Sequence, residues 1–360
     1  MNIVVLTHFP SPYQLEYFNA ISSTPGIDLD VIYLTCDSTG RRWTPSSPWH
    51  RALMLDKDSN SDQKSTCLIE KAELVIFNYY NHSRAIHLMN ARCKLGKPWV
   101  FWGERPGFQY PRMGKWLRKW RLKCLHHSLV PIWGIGEFGV TGYRAEFGSE
   151  RSYVDLPYFS DLNRFSEFSK SRQFPNKRRV ILYSGSLIHR KGVDMLTNAF
   201  KSVALDHPEL LLRVMGEGVL RNEMEKSLRP IASQVEFLGF RDWDQLPEVY
   251  ATADVLCVPS RYDGWGLVVP EGLASGLPVI GTDRMGAALE FLNTGYNGWL
   301  IPTGDVTELA AALREAATIS PEKLGAMSSS ASQSVKGHTL QHGAQRFLAA
   351  AKEAVFNWQN

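Results

Sequence analysis

The chain has little that would tie it to a metal, a membrane span or a nucleic acid. Its five cysteines, Cys36, Cys67, Cys93, Cys124 and Cys257, are scattered, odd in number and without C-x-x-C or Cys/His spacing. That pattern speaks against a disulfide framework and a structural zinc, and for a reduced, cytosolic setting. No apolar run of about 18 residues occurs, so no segment is expected to span a bilayer. The opening MNIVVLTHFPSPY has no basic leader and only a short apolar run, so it reads as a first strand and not as a signal peptide. Charge of one sign is not in excess. The 40 basic and 36 acidic residues leave a net +4, too mild to argue for nucleic acid. After the strand ending at Met215, Gly216-Glu217-Gly218 has Arg221 where the third glycine of G-x-G-x-x-G belongs, which disfavours an NAD-dependent dehydrogenase fingerprint there.

What is present is a globular composition, 44% hydrophobic and 21% charged, over 360 residues. That length exceeds one ordinary α/β core and predicts two domains. Short apolar runs at 2–6, 29–34, 73–78, 98–102 and 130–132 read as buried strands. Helices are expected between them at 15–21, 84–95, 112–129 and 138–147. The polar stretch 35–66 reads as loop. Residues 157–177 lose apolar periodicity and read as a connection. A second alternation follows, with strands at 180–184, 210–215, 235–238, 253–259 and 277–280, and helices at 193–206, 220–228 and 246–251. A strand at 299–302, an Ala-rich helix at 307–318 and a final helix at 341–358 complete the pattern. The expected fold class is α/β, two Rossmann-like domains facing across a cleft. The expected domains are 1–165 and 166–340. The helix within 341–360 is expected to pack back toward the N-terminal domain.

The most informative stretch is 253–282, ADVLCVPSRYDGWGLVVPEGLASGLPVIGT. It reads as strand, loop, helix and strand, with the helix opening near Gly266. Asp263 falls on the loop and Glu271 in the helix, with seven residues between them. Such a loop and helix start line the carboxyl edge of a parallel sheet, where open α/β folds bind ligands. The loop GSLIHRKG, 185–192, sets Arg190 and Lys191 at the same kind of edge, where they could counter a diphosphate. Gly216, after another strand, permits close approach of a ligand or simply a tight turn. On spacing alone a solvated basic tip fits as well, and an ordinary loop Asp with a helix-surface Glu fits better.

Read together and in order, GSLIHRKGVDML, VMGEGVLRNEME, VEFLGF, the 253–282 stretch and GYNGWLIP resemble the C-terminal domain of family 4 retaining glycosyltransferases of the GT-B fold. The resemblance is strong over about 180–303 and loose in the N-terminal half, and it implies that 1–165 is the acceptor-side domain and 166–340 the domain that binds the nucleotide sugar. It implies that Glu271 holds the ribose hydroxyls of a UDP- or GDP-sugar and that Asp263 faces the donor sugar. It also implies that the backbone at Gly266, Leu267 and Val268 meets the phosphates, that Lys191 is the diphosphate lysine, and that Gly216 lies at the donor. Arg190 would supply charge lost at Ser186, where the family often has arginine. The sequence departs elsewhere. The first acid is Asp where Glu is usual, and Pro10-Ser11-Pro12-Tyr13-Gln14 lacks paired glycines. Trp102-Gly103-Glu104-Arg105 stands where many relatives place a histidine. Glu104 is the expected group at the acceptor hydroxyl, and His82, in NYYNHS, is a weaker candidate. No metal is assigned, because the D-x-D triplets Asp28-Leu29-Asp30 and Asp56-Lys57-Asp58 lie outside any glycosyltransferase metal context. No cofactor is expected beyond the sugar nucleotide as co-substrate.

The implied activity is retaining hexosyl transfer to a glycan or lipid-linked acceptor, in surface polysaccharide or glycolipid assembly. The alternatives are a nucleotide-sugar 2-epimerase of related fold and a sugar-nucleotide-binding protein that is catalytically weak. One further feature bears on location. Residues 112–127 hold Arg112, Lys115, Arg118, Lys119, Arg121 and Lys123 among Trp116, Leu117, Trp120 and Leu122, with no acid. This reads as a helix touching an anionic membrane surface, or as a solvated basic face packed on its own sheet. The expected location is cytoplasmic, with the first reading placing the chain peripherally on the inner face of the membrane.

Overall fold

Near-continuous apolar runs joined by helical segments make parallel sheets buried on both faces. The computed structural model describes residues 1–36, 47–57, 60–106, 112–169 and 178–359. It divides into two α/β units, Met1–Ser160 with Thr339–Asn360, and Asp161–His338.

The first unit runs β1 (Asn2–Thr7), α1 (Pro12–Ser22), β2 (Asp28–Tyr33), β3 (Arg51–Met54), α2 (Ser61–Lys71), β4 (Leu74–Phe77) and α3 (Ser83–Lys94). It continues with β5 (Trp99–Gly103), α4 (Arg112–Arg121), α5 (Lys123–His126), β6 (Ile132–Gly134), α6 (Gly136–Phe147) and β7 (Tyr153–Asp155). The strands form a parallel sheet in the order β3-β2-β1-β4-β5-β6-β7. The order reverses between β1 and β4. On one face Val4, Leu6, Val75, Phe77, Trp99 and Phe101 pack with Ala85, Leu88 and Met89 of α3.

The second unit runs α7 (Asn163–Ser169), β8 (Arg179–Ser184), α8 (Val193–Ala204), β9 (Leu210–Met215), α9 (Arg221–Leu228), β10 (Val235–Gly239) and α10 (Leu246–Ala251). It continues with β11 (Val255–Val258), α11 (Val268–Ala274), β12 (Val279–Thr282), α12 (Gly286–Phe291), β13 (Gly298–Ile301), α13 (Val306–Thr318) and α14 (Pro321–Ser334). Its parallel sheet has the order β10-β9-β8-β11-β12-β13, reversing between β8 and β11. Ile181, Val255, Cys257 and Ile280 pack with Leu196, Phe200 and Val203 of α8 and Leu309 and Leu313 of α13. Helix starts are set by side chains. Asp305 caps α13 by accepting from Thr307 N and Glu308 N, and Ser320 with Pro321 opens α14. The last helix, α15 (Leu340–Gln359), belongs to the first unit and packs on α1.

Several elements differ from the sequence reading. The polar stretch 35–66 contains β3 and the start of α2. Strand β7 and helices α12 and α14 were not expected. The helix expected over 112–129 breaks at Leu122, whose φ of −96° and ψ of 27° leave helical space while its side chain stays buried. The expected connection at 157–177 contains α7, whose Phe165 packs edge-on against Tyr250 at 5.3 Å. The expected boundary at 165/166 therefore falls inside that helix. Residues 170–177 lie outside the described residues.

Candidate active site

In a parallel sheet whose strand order reverses, the loops on either side of the reversal diverge and leave room at the carboxyl edge. In the second unit those loops follow β8 and β11. Arg190 and Lys191 lie on the first, and Asp263 lies on the second. The structure joins them. Lys191 Nζ pairs with Asp263 Oδ2, Arg190 lies 3.9 Å from Asp263 Oδ1, and Arg190 also donates to the Tyr262 carbonyl at 2.9 Å. Lys191 and Asp263 are mostly covered, whereas Arg190 is half exposed.

Arg261 holds the two loops in register. Its guanidinium donates to both oxygens of Asp194 at 2.6 and 2.7 Å and to the His189 carbonyl at 2.9 Å. Its backbone N–H donates to the Arg190 carbonyl at 2.8 Å. Partial burial works against the charge on Asp194, yet the Arg261 fork holds its carboxyl below the ordinary range. Gly192, at φ +71°, lets the loops meet. A Cβ there would stand 1.9 Å from the Pro259 carbonyl oxygen. Gly216, on the loop after β9, packs just as closely against the loop after β8, and a Cβ would stand 1.9 Å from Gly185 O.

Gly266, Leu267 and Val268 carry the chain from Asp263 into α11. Glu271 lies in the first turn of that helix and is only 4% exposed, so the surface reading of this residue does not hold. Tyr250 of α10 meets it. The phenol oxygen lies 3.3 Å from Glu271 Oε2 and 3.0 Å from Ser184 Oγ at the end of β8. Burial, and then the Glu271 carboxylate, push the Tyr250 phenol well above its ordinary range, so it remains a neutral donor.

Glu104 belongs to the first unit. It follows β5 directly, its side chain is exposed, and its backbone carbonyl accepts from Tyr143 Oη at 2.6 Å. The reversal point of the first sheet is filled by a polar network. Gln14 Nε2 donates to Thr7 Oγ1 at 3.1 Å and to Asn78 Oδ1 at 3.3 Å, and Asn78 Nδ2 donates to the Trp102 carbonyl at 3.0 Å. His82 serves the helix start, since its Nδ1 accepts from Arg84 N at 3.1 Å and so caps α3. Of the first D-x-D triplet, Asp28 and Asp30 both pair with Arg51. In the second, Asp56 accepts from Thr35 Oγ1 and Cys36 N, and Asp58 lies outside the described residues. No helix among the described residues is long and apolar enough to cross a membrane.

Sequence reasoning missed Tyr250, Ser184, Arg261 and Asp194. Arg261 stood inside the informative stretch, but its partner lies 67 residues away, so local spacing could not assign it. Nothing near Tyr250 in the sequence points to Glu271.

HepE from Anabaena, in complex with UDP, matches the structure with a TM-score of 0.76 at 18% identity, covering 98% of this chain and 100% of that one. Sucrose-phosphate synthase from Thermosynechococcus elongatus matches with a TM-score of 0.76 at 18% identity, covering 98% of each chain. These likenesses show the fold, two Rossmann-like units of the GT-B type. The chain is 28% identical over 196 residues to a GDP-mannose-dependent monoacylated alpha-(1-6)-phosphatidylinositol monomannoside mannosyltransferase of Corynebacterium glutamicum. It is 30% identical over 191 residues to a D-inositol 3-phosphate glycosyltransferase of Rhodococcus erythropolis. Each match takes in 50% of this chain, but only 51% and 42% of the respective relatives. Residues 164–333 match the model of the family described as glycosyl transferases group 1.

Proposed function

We propose that the protein transfers a hexosyl group from a nucleoside-diphosphate sugar to a glycan or lipid-linked acceptor, with retention at the anomeric carbon. The observation that carries this reading is the assembly at the β8/β11 reversal: a Lys191–Arg190–Asp263 cluster beside the helix that buries Glu271. Two cations on a stiffened loop suit a diphosphate whose charge grows as the sugar leaves. The backbone at Gly266, Leu267 and Val268 is assigned to the same phosphates, and Gly216 to the approach of the donor. Glu271 is assigned to the ribose hydroxyls and Asp263 to the sugar, where its pairing with Lys191 ties the sugar contact to the phosphate contact. Glu104 is assigned to the acceptor hydroxyl. In the reaction the bond from the anomeric carbon to the diphosphate oxygen breaks, the bond to the acceptor oxygen forms, and the acceptor proton passes to the departing diphosphate. The setting we propose is the inner face of a membrane, with the chain held there peripherally.

The test is a melting-temperature screen with UDP- and GDP-sugars, followed by transfer to acceptors with the donor that stabilises most. Expected results are a raised melting temperature with one donor class, a product of unchanged anomeric configuration by NMR, and turnover unaffected by EDTA. Glu271→Ala should abolish donor stabilisation and Lys191→Ala should weaken it. Wild-type donor affinity in both variants would overturn the assignment. Release of a 2-epimer, or binding without turnover on every acceptor class, would overturn the transferase reading.

A further inference from the structure

Helix α4 carries an aromatic and cationic face that donor binding does not use. Trp116 and Trp120, one turn apart, are each 67% exposed. Lys119 stands between them on the same face, and Arg121 and Lys123 continue the exposed surface. The opposite side is fixed to the first unit. Arg118 is buried in a two-bonded ion pair with Glu146, at 3.1 and 2.9 Å, and Leu122 and Leu125 are buried. The six cations of the sequence are therefore not one patch, since Arg118 points inward. Among the described residues no carboxylate pairs with Lys119, Arg121 or Lys123.

Two adjacent indoles turned to water are unfavourable unless something covers them. Their apolar rings and N–H groups suit the boundary between headgroups and acyl chains. Cations beside them favour an anionic boundary over a neutral one. We infer that this face of α4 docks the protein on an anionic lipid bilayer. Trp116 and Trp120 enter the headgroup layer, and Lys119, Arg121 and Lys123 meet lipid phosphates. This deepens the proposed membrane setting by naming the residues that touch it, and it is measured apart from donor binding.

The full-length protein is sedimented with vesicles of phosphatidylcholine alone and of phosphatidylcholine with phosphatidylglycerol, at low and high salt. Binding to the anionic vesicles that falls with salt is expected, with little binding to the neutral ones. Replacing Lys119, Arg121 and Lys123 together by Gln should lower the partition coefficient about 100-fold, at roughly fivefold per charge. Trp116→Ala with Trp120→Ala should lower it on the order of tenfold or more. If a combined variant melts early, Lys119→Gln and Trp120→Ala alone at these exposed sites carry the test, each with a loss of about fivefold. Equal binding to both vesicle types, unchanged binding in the variants, or capture by single-stranded DNA with no vesicle binding would overturn the inference. Loss of vesicle binding with stabilisation by the selected donor intact separates this surface from the proposed donor site.

Discussion

A carboxylate sealed from water persists only where donors meet it. For Glu271, Tyr250 is one such donor, and the same phenol reaches Ser184 on the neighbouring strand. Tyr250 is thus a positioning residue for Glu271. Tyr250→Phe removes the hydroxyl, and a hydrogen bond to a buried charge contributes about 1.5–3 kcal/mol. Affinity of this variant for the nucleoside diphosphate of the stabilising donor, by calorimetry, should fall roughly tenfold or more. Its preference for that nucleotide over the 2′-deoxy analogue should narrow, which a merely destabilised protein would not show. An unchanged preference would remove Tyr250 from ribose recognition. At this scale legibility followed sequence distance. The loop positions of Arg190, Lys191 and Asp263 could be read because strand–loop–helix order is local. That Lys191 and Asp263 touch, across 72 residues, could not be read from either loop. Asp194 and Tyr250 carried no local mark at all.

Among the elements, β3 shows why some strands stay hidden in a sequence. Its four residues, Arg51–Met54, have no buried apolar run: the first two are exposed and the last two half-buried. Polar side chains attach it instead. Arg51 pairs with Asp28 and Asp30 of β2. His50, just before it, has Nδ1 at 2.7 Å from Asn19 Oδ1 and Nε2 at 3.0 Å from Tyr33 Oη. The Asn19 oxygen can only accept, so Nδ1 carries the proton and Nε2 takes the Tyr33 hydroxyl. Burial lowers the His50 pKa from the ordinary 6.5 to about 4. Above pH 6.5 the ring is neutral in the folded and unfolded chains, and its contribution is fully present. As pH falls from 6.5 toward 4 the unfolded chain binds the proton first, so up to about 3 kcal/mol is lost over that window. Urea unfolding across this range should show wild-type stability declining more steeply than that of His50→Gln, which starts lower at pH 7. Parallel slopes would mean that His50 does not hold the strand. By contrast β1, β4, β8 and β11 were plain in the sequence, because strands buried on both faces must be apolar throughout. Helix α14 was hidden for another reason: its serine-rich middle weakens the apolar stripe, and only the Ser320-Pro321 cap marks its start.

For the whole molecule, two alternating runs of strand and helix announced two α/β units, and the last helix was expected to return toward the first, although local pattern alone does not say which unit a late helix completes. The contacts answer for α15. Phe347 is fully buried, with its ring 6.2 Å from Trp102 and 5.6 Å from Trp133. Tyr17 donates to the Gly343 carbonyl at 3.0 Å, and Trp358 Nε1 donates to the Gly96 carbonyl at 3.0 Å. The first unit is therefore built from both ends of the chain and the second from its middle. Phe347→Ala would leave a cavity among aromatic rings, at a cost of about 3–5 kcal/mol. That loss should fall on the first unit. Hydrogen exchange should quicken in β1, β5 and β6 while β8 and β11 keep their protection. Stabilisation by the donor that the screen selects should survive in the same variant, because the residues proposed to hold it, Lys191, Asp263 and Glu271, all lie in the second unit. If exchange quickens equally in β8 and β11, the two units unfold as one, and the C-terminal helix supports the donor site as well as its own sheet.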